Sequence, residues 1–198
     1  MKFFTTEEAK SWCQARGLKV TADRYLHYEP ESPHCFTIGL DDKPSRVIAL
    51  ADYLVPTWED VPFEGALLWI RERGIWGDFS ENTGDMIVQQ MRLAKGETEP
   101  LEKRPGHLFG REELFEMHSY FVIPLLFGWD AFLVPEAKDY FLFVSHDGVV
   151  GVVCRTQETY EELFHRARDW NPREDKGWYL KHVGGKGVRS LLFLGRMG

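Results

Sequence analysis

Residues 140–154 read YFLFVSHDGVVGVVC, and this stretch decides the fold of the chain. Its first six residues are rich in apolar, β-forming side chains, which is typical of a strand buried on both faces of a sheet. Asp147 and Gly148 favour the backbone angles of a tight hairpin turn. The last six residues supply the returning strand, in which Gly151 predicts a bulge or a close-packing point. The stretch therefore predicts two neighbouring antiparallel strands at the centre of a sheet.

A long apolar helix is predicted before these strands. Residues 111–127 carry apolar side chains at spacings of three and four, which indicates a helix packed on the core, and Phe115 and Ile123 widen its apolar stripe. Pro124 predicts a kink or a new start, because proline lacks the backbone donor and clashes with the preceding turn. Gly128 is placed as a C-terminal capping glycine.

Local signals predict further strands and helices. Apolar runs at residues 66–70 and 131–134 are typical of strands. Helix starts are indicated by the Thr5-Thr6-Glu7-Glu8 pattern, by Pro44 and by Thr156. The helix after the proline has one apolar face, which predicts that these residues are buried: Val47, Leu50, Ala51 and Leu54.

One more helix has two alternative buried faces. Ser80 or Asn82 is placed to cap a helix that runs to about Lys95. Two stripes fit its spacing equally well, which predicts modest burial: Met86, Gln90 and Leu93, or Ile87, Met91 and Ala94. Residues 96–107 contain two prolines and predict a polar loop.

Together these elements predict one α+β domain. We expect a mixed, mainly antiparallel sheet flanked by helices around a single core, with central strands at residues 66–70, 131–134, 140–145 and 149–154. The domain covers residues 1–171. Residues 172–198 form a basic, glycine-containing C-terminal extension.

The net charge of the chain is −7 at pH 7, and it is unevenly distributed. Residues 172–198 hold six basic against two acidic side chains, a net charge of +4, so residues 1–171 carry −11. An acidic body disfavours nucleic acid as the main ligand, because phosphate groups are also negative. It favours a basic protein as partner.

The composition and the termini indicate a cytoplasmic globular protein. Aromatic residues make up 14% of the chain, which is typical of cores and of recognition surfaces. The start MKFFTTEEAK holds acidic residues where a signal peptide needs an apolar run, and the apolar run at residues 121–127 is too short to cross a bilayer. The three cysteines lack CxxC spacing, which predicts buried, reduced thiols.

Four polar residues are candidates for catalysis. His146 and Asp147 could pair as a base and its orienting carboxylate, and a simple hairpin turn is the structural alternative. Asp130 lies between a helix and a strand, where a carboxylate often accepts backbone donors instead. His118 lies on the apolar face of a helix, where a core histidine is the alternative. No catalytic motif selects among them, and the spacing predicts neither a metal nor a cofactor.

Trp76, Trp129 and Asp130 are the candidates for binding a partner. Trp76 lies in a glycine-flanked bend, and Trp129 and Asp130 lie where a helix gives way to a strand, a position that often hosts functional residues. For Trp129 a core position is the alternative. The GGKG sequence at residues 184–187 lacks the Ser or Thr that a phosphate-binding loop needs after its lysine, so no nucleotide site is predicted.

Residues 140–167 resemble part of a known family. Their order of strand, turn, strand and helix, in YFLFVSHDGVVGVVCRTQETYEELFHRA, is similar to the end of the SMI1/KNR4-like family of small bacterial immunity and interaction proteins. The N-terminal part departs from that family, since it has no Leu-Pro followed by an aromatic residue and no Asn-Gly-Gly stretch. The resemblance implies an interaction protein.

The sequence therefore favours two classes of function. The first is a non-catalytic bacterial interaction protein, such as an immunity-type inhibitor of a basic protein partner. The alternative is a small hydrolase or transferase with a site near Trp129, Asp130 and His146. No membrane partner is predicted, and a homodimer is favoured because the apolar residues 191–194 need something to cover them.

Overall fold

The computed structural model describes residues 1–22, 25–28, 34–55, 63–73 and 79–174, and for residues 79–82 the backbone only. Its strands are β1 Lys2–Phe4, β2 Leu18–Val20, β3 Leu26–Tyr28, β4 His34–Gly39, β5 Ala66–Glu72, β6 Gly106–Phe109, β7 Asp130–Pro135, β8 Tyr140–Ser145, β9 Val149–Cys154 and β10 Arg173–Glu174. Its helices are α1 Thr6–Gln14, α2 Pro44–Leu54, α3 Phe79–Ala94, α4 Leu114–Phe127 and α5 Gln157–Arg166, which a 3-10 turn at Ala167–Trp170 extends. Trp76 and the predictions for residues 184–187 and 191–194 lie outside the described residues.

Eight strands form one sheet in the order β1-β6-β5-β7-β8-β9-β4-β10, and β2 and β3 form a separate hairpin. Every pairing between the described strands is antiparallel. The four strands predicted to be central, β5, β7, β8 and β9, occupy the middle of the sheet, so the predicted α+β fold is confirmed. At one edge Arg173 and Glu174 pair with β4, so the start of the segment 172–198 belongs to the sheet.

The sheet divides the core into two sides. On one side α2, α3, α4 and α5 cover Leu68, Leu133 and Leu142. On the other side α1 and the hairpin of β2 and β3 cover Trp69 and Phe132. Successive side chains of a strand point to opposite faces. Each central strand therefore contributes to both sides, which is why its sequence is apolar without interruption.

Several predicted turns and caps are confirmed. β8 and β9 have the predicted bounds, and Gly148 in the turn between them has a φ of 77°, in the region that glycine adopts most readily. Thr5 and Glu8 form the reciprocal capping box at the start of α1. The Thr156 hydroxyl accepts a hydrogen bond from the Thr159 amide at 3.2 Å and caps α5.

Helix α4 differs from its prediction at its start and at its proline. It begins later than predicted, at Leu114, because the Glu113 carboxylate accepts the Gly110 amide at 2.8 Å and closes a turn there. It continues through Pro124, so the proline starts no new helix. α4 is apolar along most of its length, yet none of the described helices is long and apolar enough to cross a membrane.

Helix α3 buries a face that the sequence analysis did not identify. It begins at Phe79, so Ser80 and Asn82 lie inside it and do not cap it. Its fully buried residues include Val88 and Arg92, which belong to neither of the two predicted stripes. An arginine is ordinarily exposed, so its burial needs acceptors that only the folded chain provides.

Arg92 is held by acceptors from the loop and strand that follow α3. Its Nη1 donates to the Arg104 carbonyl at 2.9 Å, and its Nη2 donates to the Glu99 carbonyl at 3.0 Å. Nη1 also lies 2.9 Å from Nε2 of His107, a residue of β6 that the sequence analysis placed in a polar loop. A guanidinium only donates, so Nε2 accepts and the imidazole is neutral. Burial, and then the Arg92 charge, lower the pKa of His107 to about 3.

The cysteines are buried thiols, as predicted. Cys35 and Cys154 lie on the neighbouring strands β4 and β9, but their side chains belong to opposite sides of the sheet. Burial raises the pKa of Cys13 and of Cys154 to about 12. These two thiols are therefore protonated and weakly reactive at neutral pH.

Candidate functional site

Three of the predicted catalytic candidates meet at one end of the central strands. β7 begins at Asp130 and pairs antiparallel with β8, with Ala131 opposite Val144. His146 directly follows β8, so this pairing brings Asp130 and His146 to the same end of the sheet. β5 also ends here, with Glu72 opposite Asp130.

Asp130 and His146 are joined by two hydrogen bonds. Asp130 Oδ1 accepts the His146 backbone amide at 2.9 Å and lies 2.8 Å from Nδ1 of the same residue. Because a carboxylate only accepts, Nδ1 of His146 carries a proton and donates it to this hydrogen bond. The side chains of Asp130 and His146 are 2% and 27% exposed. A buried carboxylate thus orients an imidazole that reaches solvent.

Arg71 brings a positive charge to the same carboxylate. The pairing of β5 with β7 shifts register between Ile70 and Glu72, and Arg71 lies at this irregularity. Its Nη1 is 3.5 Å from Asp130 Oδ2, and its guanidinium carbon lies 4.0 Å from the centre of the Tyr25 ring. Burying a carboxylate is costly unless it is paired. Asp130 has a cation on one side and an imidazole on the other.

The carboxylate that is hydrogen-bonded to the His146 ring is Asp130, and Asp147 lies near the other ring nitrogen. Asp147 Oδ1 lies 3.7 Å from Nε2 of His146, which is beyond hydrogen-bond distance. The Asp147 amide donates to the Ser145 hydroxyl at 3.2 Å within the hairpin turn. Asp130, at the start of the antiparallel neighbour β7, makes the hydrogen bond to the ring.

A cleft of about 520 Å³ opens beside Arg71. The end of β5 and the loop before β6 form its walls, which consist of Ile70, Arg71, Glu72, Arg73, Leu101, Glu102 and Pro105. Arg73 forms ion pairs with Asp85 and Glu102, so its charge is compensated. Arg71 belongs both to this cleft and to the cluster around Asp130.

His118 is separated from the other catalytic candidates. Its Nε2 lies 2.8 Å from Asp52 Oδ1, and this contact joins α4 to α2. Both residues belong to helices on one side of the sheet, whereas the contacts of His146 are made at the strand ends.

Trp129 occupies a core position, which was the structural alternative for this residue. Its indole is fully buried and its ring centre lies 6.3 Å from that of Phe127. A side chain at Gly84 would come within 2.7 Å of the indole, so the backbone of α3 packs directly on it. In this structure the ring presents no surface to a partner.

The exposed apolar side chains form a second feature of functional interest. Within the described ranges, every exposed large apolar side chain lies on α2, α3 or α4, and we name these five residues the outer helix face: Ile48, Met86, Ile87, Leu93 and Phe115. Met86 is 70% exposed and Phe115 is 73% exposed. Phe115 was predicted to widen a buried stripe, and this prediction is wrong because the residue shares its helix face with the exposed Ser119.

Most aromatic side chains of the described residues lie in or against the core. All tryptophan and tyrosine side chains in the described part of the chain are buried or half-buried. Of the two uses that the aromatic content allowed, the core accounts for the described tryptophan and tyrosine side chains. Phenylalanine, methionine and aliphatic side chains form the exposed apolar surface instead.

The sequence analysis missed Arg71 and the outer helix face. Arg71 directly follows the apolar run that predicted a strand at residues 66–70, and this position was the available signal for it. Asp130 precedes one predicted strand and His146 follows the next, so an antiparallel pairing of these strands would have predicted their contact. The contact of Arg71 with Asp130 has no local signal, because the two residues are far apart in the chain.

Neither a search for metal ligands nor comparisons with known proteins assign a function to this site. Among the residues that the structure describes, no three His, Cys, Asp or Glu side chains are placed to hold a metal ion. Comparisons of the chain with protein-family models, with curated proteins and with solved structures found no match, so the resemblance of residues 140–167 to the SMI1/KNR4-like family gains no support from them.

Proposed function

We propose that this chain is an interaction protein that binds a basic partner protein through the outer helix face. The observation that carries the proposal is the confinement of the described exposed large apolar side chains to three helices. Folded proteins bury most such side chains, and a concentration of them on the surface marks an interaction site. Methionine and phenylalanine are also enriched in protein interfaces.

The three helices that carry these side chains are neighbours. A 3.1 Å ion pair between Lys95 and Glu116 joins the end of α3 to the start of α4. The Asp52 carboxylate joins α2 to α4. α4 therefore lies between the other two helices, and Phe115 belongs to the middle helix. Leu93 and Phe115 are each close in the chain to the Lys95–Glu116 pair, which supports one shared docking surface.

The negative charge of residues 1–171 favours a basic partner. Residues 1–171 carry −11. Beside the outer helix face, the side chains of Asp52 and Glu116 are 60% and 38% exposed. A basic partner would meet these carboxylates around an apolar centre. In such an interface opposite charge speeds association, while buried apolar side chains hold the complex.

Replacing Phe115 with glutamate should weaken partner binding at least about tenfold, because a buried aromatic anchor is typically worth more than about 1.4 kcal/mol. The partner is captured with the wild-type protein from a lysate of the source organism, and its dissociation constant is then measured for each variant. Gln14→Glu is the matched control, since it makes the same charge change at an exposed position of α1, on the other side of the sheet. Equal affinities of the wild type and Phe115→Glu would reject the proposal.

The association rate with this partner should fall several-fold between low salt and about 0.5 M, because the screening length shrinks to a few Å. The dissociation rate should change much less, since it depends on the buried apolar contacts. Stopped-flow mixing at both salt concentrations measures the two rates. A salt-independent association rate, or a captured partner as acidic as this chain, contradicts the electrostatic argument.

Removal of residues 175–198 provides a second variant for the same measurement. These residues hold five basic against one acidic side chain, a net charge of +4 that should attract the acidic body and compete with a basic partner. The shortened chain keeps Arg173 and Glu174 with their pairing to β4. Its association should be faster than that of the full chain at low salt. Equal rates would show that the segment does not compete.

A further inference from the structure

A groove between α2 and α5 offers a contact surface that docking through the outer helix face does not use. Both helices and three strands of the sheet line this groove, with these residues among them: Phe36, Tyr53, Leu142, Val152, Leu163 and Arg166. We propose that residues 191–194 of this chain, LLFL, dock into the groove. The groove shares no residue with the outer helix face, so the proposal does not depend on partner binding.

The walls of the groove leave apolar surface uncovered. Every residue of α5 is described and none of them is fully buried, so its apolar stripe of Tyr160, Leu163 and Phe164 is only half-buried. Tyr53 on the opposite wall is half-buried as well. All four side chains pack against the core on their inner side. Partly exposed apolar side chains on both walls of one groove favour a further apolar contact there.

The size of the groove favours a peptide side chain over a free ligand. Its volume is about 30 Å³. Sites for free small molecules usually measure about 300–1,000 Å³, so a drug-sized molecule does not fit. A space of about the volume that one water molecule occupies in the liquid admits the end of one apolar side chain. The half-buried residues of the two walls then contact the neighbouring side chains of the same segment.

The described part of the chain ends next to the groove. Its last residue, Glu174, pairs with Phe36, which lines the groove. Burial, and then a side-chain hydrogen bond to Glu174, raise the pKa of Tyr160, so Glu174 also contacts the apolar stripe of α5. Residues 175–190 span up to about 50 Å when extended, so residues 191–194 can reach the groove. Attachment to the same chain gives them an effective concentration there that a separate peptide lacks.

The charges beside the groove complement those of the segment. Arg189 and Arg196 flank the apolar residues 191–194. Helix α5 holds three glutamates against one arginine, and the side chain of Glu162 is 65% exposed. Glu162 lies 3.5 Å from Arg166, but an ion pair between two exposed side chains is weak and leaves the carboxylate open to a second cation. A basic segment therefore fits this wall better than an acidic one.

Disulfide trapping in the full chain tests the contact. Arg166→Cys with Leu192→Cys puts one thiol on the groove wall and one in the apolar segment, and a disulfide forms only when the two Cα atoms come within about 7 Å. Arg166 is 51% exposed, so its replacement leaves the core intact, and the native cysteines are buried. Under mild oxidation this pair should close at least about tenfold faster than the control pair Glu158→Cys with Leu192→Cys.

Glu158 is a matched control position, because it is exposed on the same helix and does not line the groove. In concentrated urea the two pairs should close at similar rates, since loop closure depends only weakly on loop length. Tyr53→Cys with Leu192→Cys tests the opposite wall and should also close faster than the control pair.

The apolar character of the segment is tested in the protein that carries Arg166→Cys and Leu192→Cys. Adding Phe193→Ser and Leu194→Ser should slow disulfide formation several-fold, because these side chains then bury little apolar surface in the groove. A segment that reaches Arg166 only through its tether would keep its rate.

Mass spectrometry after proteolysis identifies the disulfide, and a nonreducing gel separates closed monomers from linked dimers. Equal rates for the groove pairs and the control pair overturn the proposal, and so does a rate that the serine substitutions leave unchanged. Linked dimers as the main product at low protein concentration also overturn it, because a second copy then supplies the segment. Circular dichroism establishes that each variant is folded, and the Tyr53→Cys pair decides if Arg166→Cys is not. None of these results bears on Phe115 or on partner binding.

Discussion

Phe143→Ala is expected to lower the free energy of unfolding by about 3–5 kcal/mol. Phe143 lies in the middle of β8 and is 1% exposed. Its ring stacks on Phe132 with 4.8 Å between ring centres and lies edge-on to Tyr25 at 5.8 Å. Removing the ring leaves a cavity beneath the β2–β3 hairpin, and the close-packed neighbours cannot fill it without moving the sheet. The expected loss is a large part of the stability of a typical domain.

Urea unfolding of the wild type and the variant measures this loss. Phe143→Leu is the control, since it keeps much of the apolar volume and should lose clearly less than the alanine variant. A loss under about 1 kcal/mol for Phe143→Ala would show that the ring does not contribute to the core as the structure indicates.

Acidification should destabilise the protein through His107. Its ring is fully buried, and burial, followed by the Arg92 guanidinium, lowers its pKa from 6.5 to about 3. Below about pH 6.5 the unfolded chain binds a proton on this histidine while the folded chain does not. The stability contributed by neutral His107 is therefore complete above pH 6.5 and is lost as the pH falls to about 3. The loss should be about 1.4 kcal/mol for each pH unit.

His107→Gln isolates this contribution. The glutamine oxygen can still accept from Arg92, and the side chain does not titrate. The stability of the wild type relative to this variant, measured by urea unfolding, should fall by about 2 kcal/mol between pH 6.5 and about 5, where carboxylates are still mostly charged. Parallel pH dependences of the two proteins would contradict a depressed pKa of His107.

The buried contact between Arg92 and His107 also bears on the cleft beside Arg71. Arg92 donates to the carbonyls of Glu99 and Arg104, and the loop between these residues supplies Leu101 and Glu102 to the cleft wall. A charged His107 would repel the guanidinium that holds this loop. The shape of the cleft therefore depends on a buried histidine that does not line it.

The candidate site could be predicted only in part. The sequence analysis named Asp130, His146 and Asp147 and placed Asp130 before one predicted strand and His146 after the next one along the chain, so two of the elements that carry the site were predicted. It considered Asp147 as the carboxylate beside His146, with a hairpin turn as the alternative, and it did not identify Asp130 as the hydrogen-bond partner of the ring. Arg71 was missed because its contact with Asp130 depends on β5 lying next to β7 in the sheet.

The sequence by itself determined the elements whose signals are local. The apolar runs of β8 and β9 with their Asp-Gly turn, the capping box of Thr5 and the buried face of α2 all depend on residues a few positions apart, so periodicity and turn angles identify them. Only the tertiary structure decided the order of the strands. It alone also identified the strands β1, β2, β6 and β10, which are too short to show a period in the sequence. It also decided that Arg92 is buried and Phe115 exposed, against the usual preference of both residue types. Burial depends on which distant groups face a side chain, and the backbone carbonyls of Glu99 and Arg104 meet Arg92 only once the chain has folded.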